Sequence, residues 1–404
     1  MSNETVVYRA AGVFDGVNGQ MVRGAVLVVR GGVVEAVGRE AEVAPPGARV
    51  NDLVGYLVPG FVDAHTHVTI RPGEGRQHWQ LVQPSAWQAI RGVANVEQML
   101  RSGVTTARIM TEDHGIDYQF RDAIARGEIG GPRLLVAGLG MSPPGGHGSA
   151  SGGVAGVGPL REGVRKRVAD GADHIKIFTT GGVSSSGTSL MQSNYSAEEI
   201  DAIVDEARSL GRVVSAHAHG GAGVTLAVQN GIHSIEHGAL LSDENVAEMA
   251  AAGTWLTLTH SILCHPDGIE RGDAGDASII AKVMEARAAV SQGAHRLREA
   301  GIRVAVGTDS MHGYISFEAE WLVEHGWTAT EALLALTRNG GELIGDPTVG
   351  VLRPGARADF VELDGDPLAD IASLAAPRRV YREGVLAAER DGSVRAFQSR
   401  EPAA

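Results

Sequence analysis

Residues 59–67 read Pro59-Gly60-Phe61-Val62-Asp63-Ala64-His65-Thr66-His67, and this stretch decides how the rest of the chain is interpreted. A largely apolar run from Tyr56 to Val62 leads into two histidines separated by one residue. Side chains of a β-strand alternate between its two faces, so His65 and His67 point the same way from a strand end. This arrangement suits two ligands of one metal ion, because neutral imidazole is a common metal ligand. Taken alone, the motif is equally well explained by a solvated histidine pair.

Four later segments repeat the pattern of a short apolar strand with side chains able to bind metal. They read His174-Ile175-Lys176-Ile177-Phe178, Ser215-Ala216-His217-Ala218-His219-Gly220, Ile232-His233-Ser234-Ile235-Glu236-His237-Gly238 and Val304-Ala305-Val306-Gly307-Thr308-Asp309. In a (β/α)8 barrel the carboxyl ends of the strands meet at one face, where active sites are built. The pattern therefore predicts that these side chains share one site.

The alternation of strands and helices predicts an α/β fold in two parts. Residues 59–349 are expected to form a (β/α)8 TIM barrel, and residues 1–58 plus 350–404 a small β-sandwich domain formed by both chain termini. The eight predicted barrel strands end near His65, Arg108, Gly138, Lys176, His217, Glu236, Leu258 and Thr308. One predicted helix runs from Ser196 to Leu210 and opens with a Ser-x-x-Glu capping box.

Composition and charge narrow the classes of partner. The net charge of −13 argues against nucleic acid and against an anionic membrane surface. No apolar run approaches the roughly 18 residues needed to span a bilayer, and residues 1–4 show no apolar signal segment. A single cysteine, Cys264, excludes an intrachain disulfide and suits a reducing compartment, so a cytoplasmic location is expected.

Lys176 stands out because of its neighbours. Ile175 and Ile177 flank it, so strand alternation directs both isoleucines to the helical side of the barrel and Lys176 into the lumen. An unpaired ammonium there is costly. Taken alone, the residues favour a lysine near the strand end that is paired with a carboxylate.

Together these motifs resemble the amidohydrolase superfamily, and within it the branch of Xaa-Pro dipeptidases and related amide and urea hydrolases. The tail from Gly350 to Val361 is also similar to the point where that family returns to its β domain. The resemblance implies two divalent metal ions, normally Zn²⁺. It implies that His65, His67 and Asp309 bind one ion, that His217 and His237 bind the other, and that Lys176, carboxylated on Nζ, bridges both.

The resemblance further implies hydrolysis by a hydroxide that bridges the ions, with Asp309 as general base. His219 falls where relatives often have a tyrosine that contacts the scissile carbonyl, and His147 lies in a Gly/Ser-rich loop after the third strand. Both are candidates to stabilise the oxyanion, and the alternatives are a structural histidine and an exposed loop residue. Glu236 is expected to point away from the site, toward the helical layer or as a support for a ligand. The surplus histidines (His233, His260, His265, His312 and His325) are expected to be mostly structural.

The expected substrate is a small-molecule amide, either a dipeptide or an N-acyl amino acid. Such a substrate needs a cation for its carboxylate, and Arg71, Arg76 and Arg108 are the candidates. The alternative is a neutral aryl amide, carbamate or phenylurea held against Trp79 and Trp87. A mononuclear deaminase is disfavoured because no glutamate closely follows His217, and a non-catalytic scaffold is disfavoured because the full ligand set is present. The resemblance also implies a homo-oligomer.

Overall fold

The computed structural model describes residues 4–396 and begins with short strands of two β-sheets. The first elements are β1 (Thr5–Arg9), β2 (Gly12–Phe14), β3 (Met21–Arg23), β4 (Ala25–Arg30), β5 (Val33–Arg39), α1 (Glu40–Val43), β6 (Arg49–Asp52) and β7 (Tyr56–Pro59). Their β-branched residues favour extended backbone, and the sequence predicted strands where β1, β4 and β5 occur.

Eight parallel strands follow, alternating with helices. They are β8 (Phe61–Thr66), β9 (Val104–Ile109), β10 (Arg133–Leu135), β11 (Ile175–Phe178), β12 (Val214–Ala218), β13 (Ser234–His237), β14 (Trp255–Leu258) and β15 (Val304–Val306). They pair in the orders β10-β9-β8 and β11-β12-β13-β14-β15. This confirms a TIM-barrel-type α/β fold.

Two contacts join these runs of strands. Met141 forms a parallel bridge with Ile177 beside β11, and the backbone N–H of Asp309 donates to the carbonyl of His65 at 2.8 Å beside β8. The third strand ends at Leu135, earlier than the predicted end near Gly138, because Gly138 adopts a φ of 65° that no extended strand accommodates.

Helices surround these strands on the outside and cover their carboxyl ends. They are α2 (Gln77–Leu81), α3 (Ser85–Arg101), α4 (Ile116–Ala125), α5 (Val157–Ala169), α6 (Ala197–Ser209), α7 (Gly221–Gln229), α8 (Asp243–Ala252), α9 (His260–Cys264), α10 (Ile269–Gly272), α11 (Ala277–Glu299), α12 (Ile315–Glu324), α13 (Ala329–Leu336) and α14 (Arg338–Leu343). Helix α6 begins with the predicted capping box between Ser196 and Glu199. Within residues 4–396, no helix is long and apolar enough to cross a membrane.

The chain then returns to the N-terminal sheets. Strands β16 (Phe360–Leu363), β17 (Arg379–Arg382) and β18 (Val385–Glu389) complete a six-stranded sheet in the order β18-β17-β16-β7-β2-β3, beside the four-stranded sheet β5-β4-β1-β6. Tyr8, Leu27 and Phe360 belong to one buried core shared by the two sheets. Val361 and Val380, by contrast, belong to the large core of the parallel strands. The six-stranded sheet therefore packs on both sides.

Candidate metal centre

Asp309 contacts His65 of β8 and His67, which directly follows that strand. Its Oδ1 lies 3.2 Å from Nε2 of His67 and 3.5 Å from Nε2 of His65. Asp309 takes a φ of 46°, in the left-handed region, which turns its carboxylate back over the strand ends. Although burial raises the pKa of Asp309, its contacts with His65 and His67 outweigh burial and hold that pKa well below its usual value. The group is therefore an anion in the folded protein.

The tautomers of both β8 histidines follow from their other ring nitrogens. Nδ1 of His65 lies 2.8 Å from the carboxylate of Glu236, and Nδ1 of His67 lies 2.8 Å from the carbonyl of Thr111. Carboxylates and carbonyls only accept hydrogen bonds, so each Nδ1 donates a proton and each neutral ring keeps its lone pair on Nε2. Each Nε2 is therefore the ring nitrogen turned toward Asp309: when protonated it donates to the carboxylate, and when deprotonated it can bind a metal ion.

His237 and His217 extend the cluster from the neighbouring strands. The ring centroids of His65 and His237 are 4.6 Å apart, as are those of His217 and His237. Ligand atoms of His65, His237 and Asp309 all lie within 4.8 Å of one another. Burial holds the pKa of both His217 and His237 well below the usual value, so both rings are neutral and able to bind metal.

Lys176 points into the barrel lumen, as strand alternation predicted. Its side chain is buried, and its Nζ has no hydrogen-bond partner among residues 4–396. Burial lowers the pKa of Lys176 to about 8. The expectation of an ordinary ion pair with a carboxylate is therefore not met, and a buried orphan amine fits the modified lysine that the resemblance implies.

His219 and His147 both reach the same cavity. Neither ring nitrogen of buried His219 has a hydrogen-bond partner among the described residues, and burial lowers its pKa to about 4. His147 packs against His217 with ring centroids 4.5 Å apart. Its Nδ1 shares the hydroxyl of Ser185 with Nε2 of His78. Both candidates therefore lie beside the proposed ligands, and the exposed-loop alternative for His147 is wrong.

Glu236 lies in the lumen, so the expectation that it points toward the helical layer is wrong, whereas the alternative, that it supports a ligand, agrees with its contact to His65. His237 leaves the strand with a φ of 73°, so Glu236 and His237 both face inward. The Glu236 carboxylate accepts from Arg108 at 2.8 and 3.0 Å as well as from His65. The contact between Arg108 and Glu236 was not predicted. An arginine in the buried strand Val104–Ile109 is nevertheless a signal that a buried carboxylate lies opposite.

Arg108 is consequently unavailable to a substrate carboxylate, because it is buried beneath the site and also donates to the carbonyl of Ala64. Arg71 bonds to Asn95 and pairs with Glu74, and Arg76 lies over the Trp79 ring. None of the three lines the cavity.

The cavity has a volume of about 70 Å³ and collects every predicted ligand. Its lining residues include His65, His67, Lys176, His217, His237 and Asp309, together with His147 and His219. Trp79 and Trp87 do not line it but pack against each other, with centroids 5.8 Å apart. The surplus histidines also lie outside it: His260 and His325 stack on Trp321, His233 and His312 bond to backbone carbonyls, and His265 packs on Tyr314.

This donor set fits divalent metal. Four imidazoles, an anionic carboxylate and an amine without a hydrogen-bond partner among the described residues converge in a buried pocket, which is the ligand chemistry of zinc and similar ions.

Comparisons with known proteins agree with a metal-dependent hydrolase. A profile of the Amidohydrolase family matches residues 56–386. Ochratoxinase of Aspergillus niger is 29% identical, with 93% of this chain and 84% of the relative covered. A prolidase solved with N-methylphosphonate-L-proline is 29% identical with a TM-score of 0.87, covering 96% of this chain and 100% of that one. A Xaa-Pro dipeptidase with bound methionine is 26% identical with a TM-score of 0.86, covering 95% and 99%.

Proposed function

The chain belongs to the amidohydrolase family and is a metal-dependent C–N hydrolase, and we propose that it cleaves the amide bond of a small molecule with two divalent ions. The observation that supports a binuclear centre is the position of Lys176. Its unpartnered Nζ lies in the same cavity as four histidines and Asp309, from five different strands or strand ends. A single ion with one carboxylate and three imidazoles has no use for a buried lysine.

In this proposal His65, His67 and Asp309 hold one ion, and His217 and His237 hold the other. Lys176, carboxylated on Nζ, would supply the ligand shared by the two ions. Its neutral amine attacks the carbon of carbon dioxide, an N–C bond forms, and the displaced proton leaves to solvent. The lowered pKa of Lys176 favours the neutral amine that this reaction needs. The carbamate carries a negative charge, which offsets part of the charge of two divalent ions.

The residues around the ions are assigned the proton transfer and the stabilisation of the oxyanion. The ions, most simply Zn²⁺, supply Lewis-acid polarisation and a water acidic enough to serve as nucleophile. Asp309 accepts the proton of the attacking water and passes it to the leaving amine. His219, with two unpartnered ring nitrogens, and His147 donate to the carbonyl oxygen as negative charge develops there.

Two substrate classes compete. The prolidase and the Xaa-Pro dipeptidase support dipeptides or N-acyl amino acids. The absence of arginine from the lining residues supports neutral aryl amides, carbamates or phenylureas. The two-domain division at residues 59 and 349, the β-sandwich at the termini, a homo-oligomer and a cytoplasmic location stay predictions.

The decisive experiment measures metal content and amine release on the same preparation. Protein loaded with Zn²⁺ in the presence of bicarbonate is expected to contain two ions per chain and to release amine from at least one amide of a panel. The panel contains dipeptides, N-acyl amino acids, neutral aryl amides, carbamates and ureas. Chelator-treated protein is the control. One ion per chain with full turnover would overturn the binuclear assignment, and metal-replete protein that releases no amine would overturn the amide assignment.

A further inference from the structure

Six aliphatic side chains from segments outside the parallel strands line the cavity, beside the polar Gln77, His78, His147 and Ser184. We call this set the aliphatic wall, and it consists of Ile70, Leu81, Val183, Ile262, Leu263 and Ile269. All six side chains are buried. They come from the segments that follow β8, β11 and β14, including α2, α9 and α10, so several independent parts of the chain present the same chemistry to the substrate.

Charged side chains are few in this lining. Apart from the histidines, the ionisable side chains that line the cavity are those of Lys176 and Asp309, and both belong to the proposed metal centre. Lys282 does not line the cavity, and its ammonium donates to the carbonyls of Gly182 and Ser185 at 3.3 and 2.5 Å. A carboxylate placed against the wall would therefore lose its hydration without gaining a cation, which is strongly unfavourable.

A neutral hydrogen-bond donor interrupts the wall. Gln77 also lines the cavity, and its side-chain Nε2 is buried without a partner among residues 4–396. Buried polar atoms in native proteins are normally satisfied, so an unpartnered amide at the surface of a pocket indicates a ligand acceptor. A neutral amide donor matches an uncharged oxygen, such as a carbonyl or an ether.

We propose that the substrate is a neutral amide or carbamate whose substituent on the wall side is apolar, with at most an uncharged acceptor for Gln77. This proposal rests on the proposed amide hydrolysis and chooses between its two substrate classes. It departs from the comparison with Xaa-Pro dipeptidase, and the composition of the lining accounts for the departure.

The test uses a pair of substrates that differ by one carboxylate, N-acetyl-2-phenylethylamine and N-acetyl-L-phenylalanine. Zinc-loaded protein is expected to hydrolyse the neutral compound with a kcat/KM more than about 10-fold higher, because the carboxylate has no cation to replace its hydration. Gln77→Arg supplies a cation at the wall and is expected to shift the ratio toward the carboxylate. Ile90→Arg, which adds the same charge at an exposed position of α3, is the matched control and leaves the ratio unchanged.

Binding provides a second readout that does not need turnover. Zinc-loaded Asp309→Asn protein is titrated calorimetrically with each intact compound, and tighter binding of the neutral one supports the proposal even if neither is hydrolysed. Preferred binding and turnover of N-acetyl-L-phenylalanine by the unmodified site would overturn this inference and leave amide hydrolysis standing. Failure to bind either compound, in protein with bound zinc, would overturn it as well.

Discussion

The carboxylate of Glu236 lies 2.8 Å from Nδ1 of His65, beneath the ring that faces Asp309. The same carboxylate accepts two bonds from Arg108, and all three groups are buried. Glu236 therefore fixes the tautomer of His65, and Arg108 keeps Glu236 ionised by compensating its charge. Carboxylates that orient a metal-binding histidine in this way increase both its basicity and its rigidity.

Substitution Glu236→Gln is expected to weaken metal binding by about 10- to 100-fold, because the support of His65 is lost. The buried Arg108 is also left without a counter-charge, so the free energy of unfolding is expected to fall by about 3–5 kcal/mol. Zinc competition against a chromophoric chelator measures the first effect, and denaturant unfolding of metal-free protein measures the second.

The control is Glu362→Gln. Glu362 is equally buried and pairs with Arg379 at 3.1 Å, but it lies on β16 in the six-stranded sheet. The Glu362→Gln variant is expected to be less stable than the parent protein and to keep its zinc affinity. Equal loss of zinc affinity in both variants would show that the effect of Glu236 is general destabilisation.

Much of this site follows from the sequence because it depends on strand periodicity. His65, His67 and Lys176 face the lumen by simple alternation, and seven of the eight strands end within two residues of the predicted positions, the third ending earlier, at Leu135. The prediction that Glu236 faces the helical layer was wrong, because alternation fails once the backbone becomes left-handed at His237. Backbone departures at strand ends depend on tertiary packing, which no local pattern of residue types encodes.

The sequence also could not indicate what each arginine contacts. Arg108 and Arg71 are chemically identical, yet one is buried against Glu236 and the other bonds to Asn95 at the surface of the barrel end. The alternative with an aryl substrate placed Trp79 and Trp87 in the pocket, but they pack against each other outside it, and the wall is aliphatic and assembled from segments far apart in sequence. Only the three-dimensional arrangement shows which side chains such a wall contains.

Lys176→Ala is expected to abolish turnover and to reduce bound zinc below two ions per chain, because the bridging carbamate is lost. A short carboxylate such as acetate or propionate is expected to restore part of both, since it can occupy the position of the carbamate. Zinc content by mass spectrometry and amine release check this. Lys282→Ala is the control lysine, because Lys282 does not line the cavity and its ammonium donates to the backbone carbonyls of Gly182 and Ser185. Full zinc and activity in Lys176→Ala would remove Lys176 from the centre.

Asp309→Asn is expected to retain much of the zinc and to lose about 10²- to 10⁴-fold in kcat, the usual contribution of a positioned general base. The φ of 46° at this position is tolerated by asparagine, so the backbone is expected to stay in place. Steady-state kinetics and zinc content measured together separate the two effects. A variant with normal kcat would exclude Asp309 as the base, and a variant without zinc would make it mainly a ligand.

Asp117 is a buried carboxyl at the start of α4, remote from the proposed ligands in sequence. Its Oδ2 accepts the N–H of Gly138 at 2.7 Å, whereas its Oδ1 has no hydrogen-bond partner among residues 4–396. Burial, assisted by the charge of Glu112, raises the pKa of Asp117 from 3.8 to about 7. Between these values the folded protein retains a proton that the unfolded chain releases, so stability falls as pH rises from about 4 to about 7.

Asp117→Asn removes this titration, and its amide oxygen can still accept from Gly138. The melting temperature of the variant minus that of the parent protein is therefore expected to increase with pH across this window and to become constant above about pH 8. Using the difference cancels the titration of all other groups, including the metal ligands, because both proteins share them. Thermal unfolding at matched zinc and ionic strength between pH 4 and pH 8.5 measures it. A difference independent of pH would mean that Asp117 is ionised in the folded protein throughout, stabilised by a partner of its Oδ1 such as an internal water.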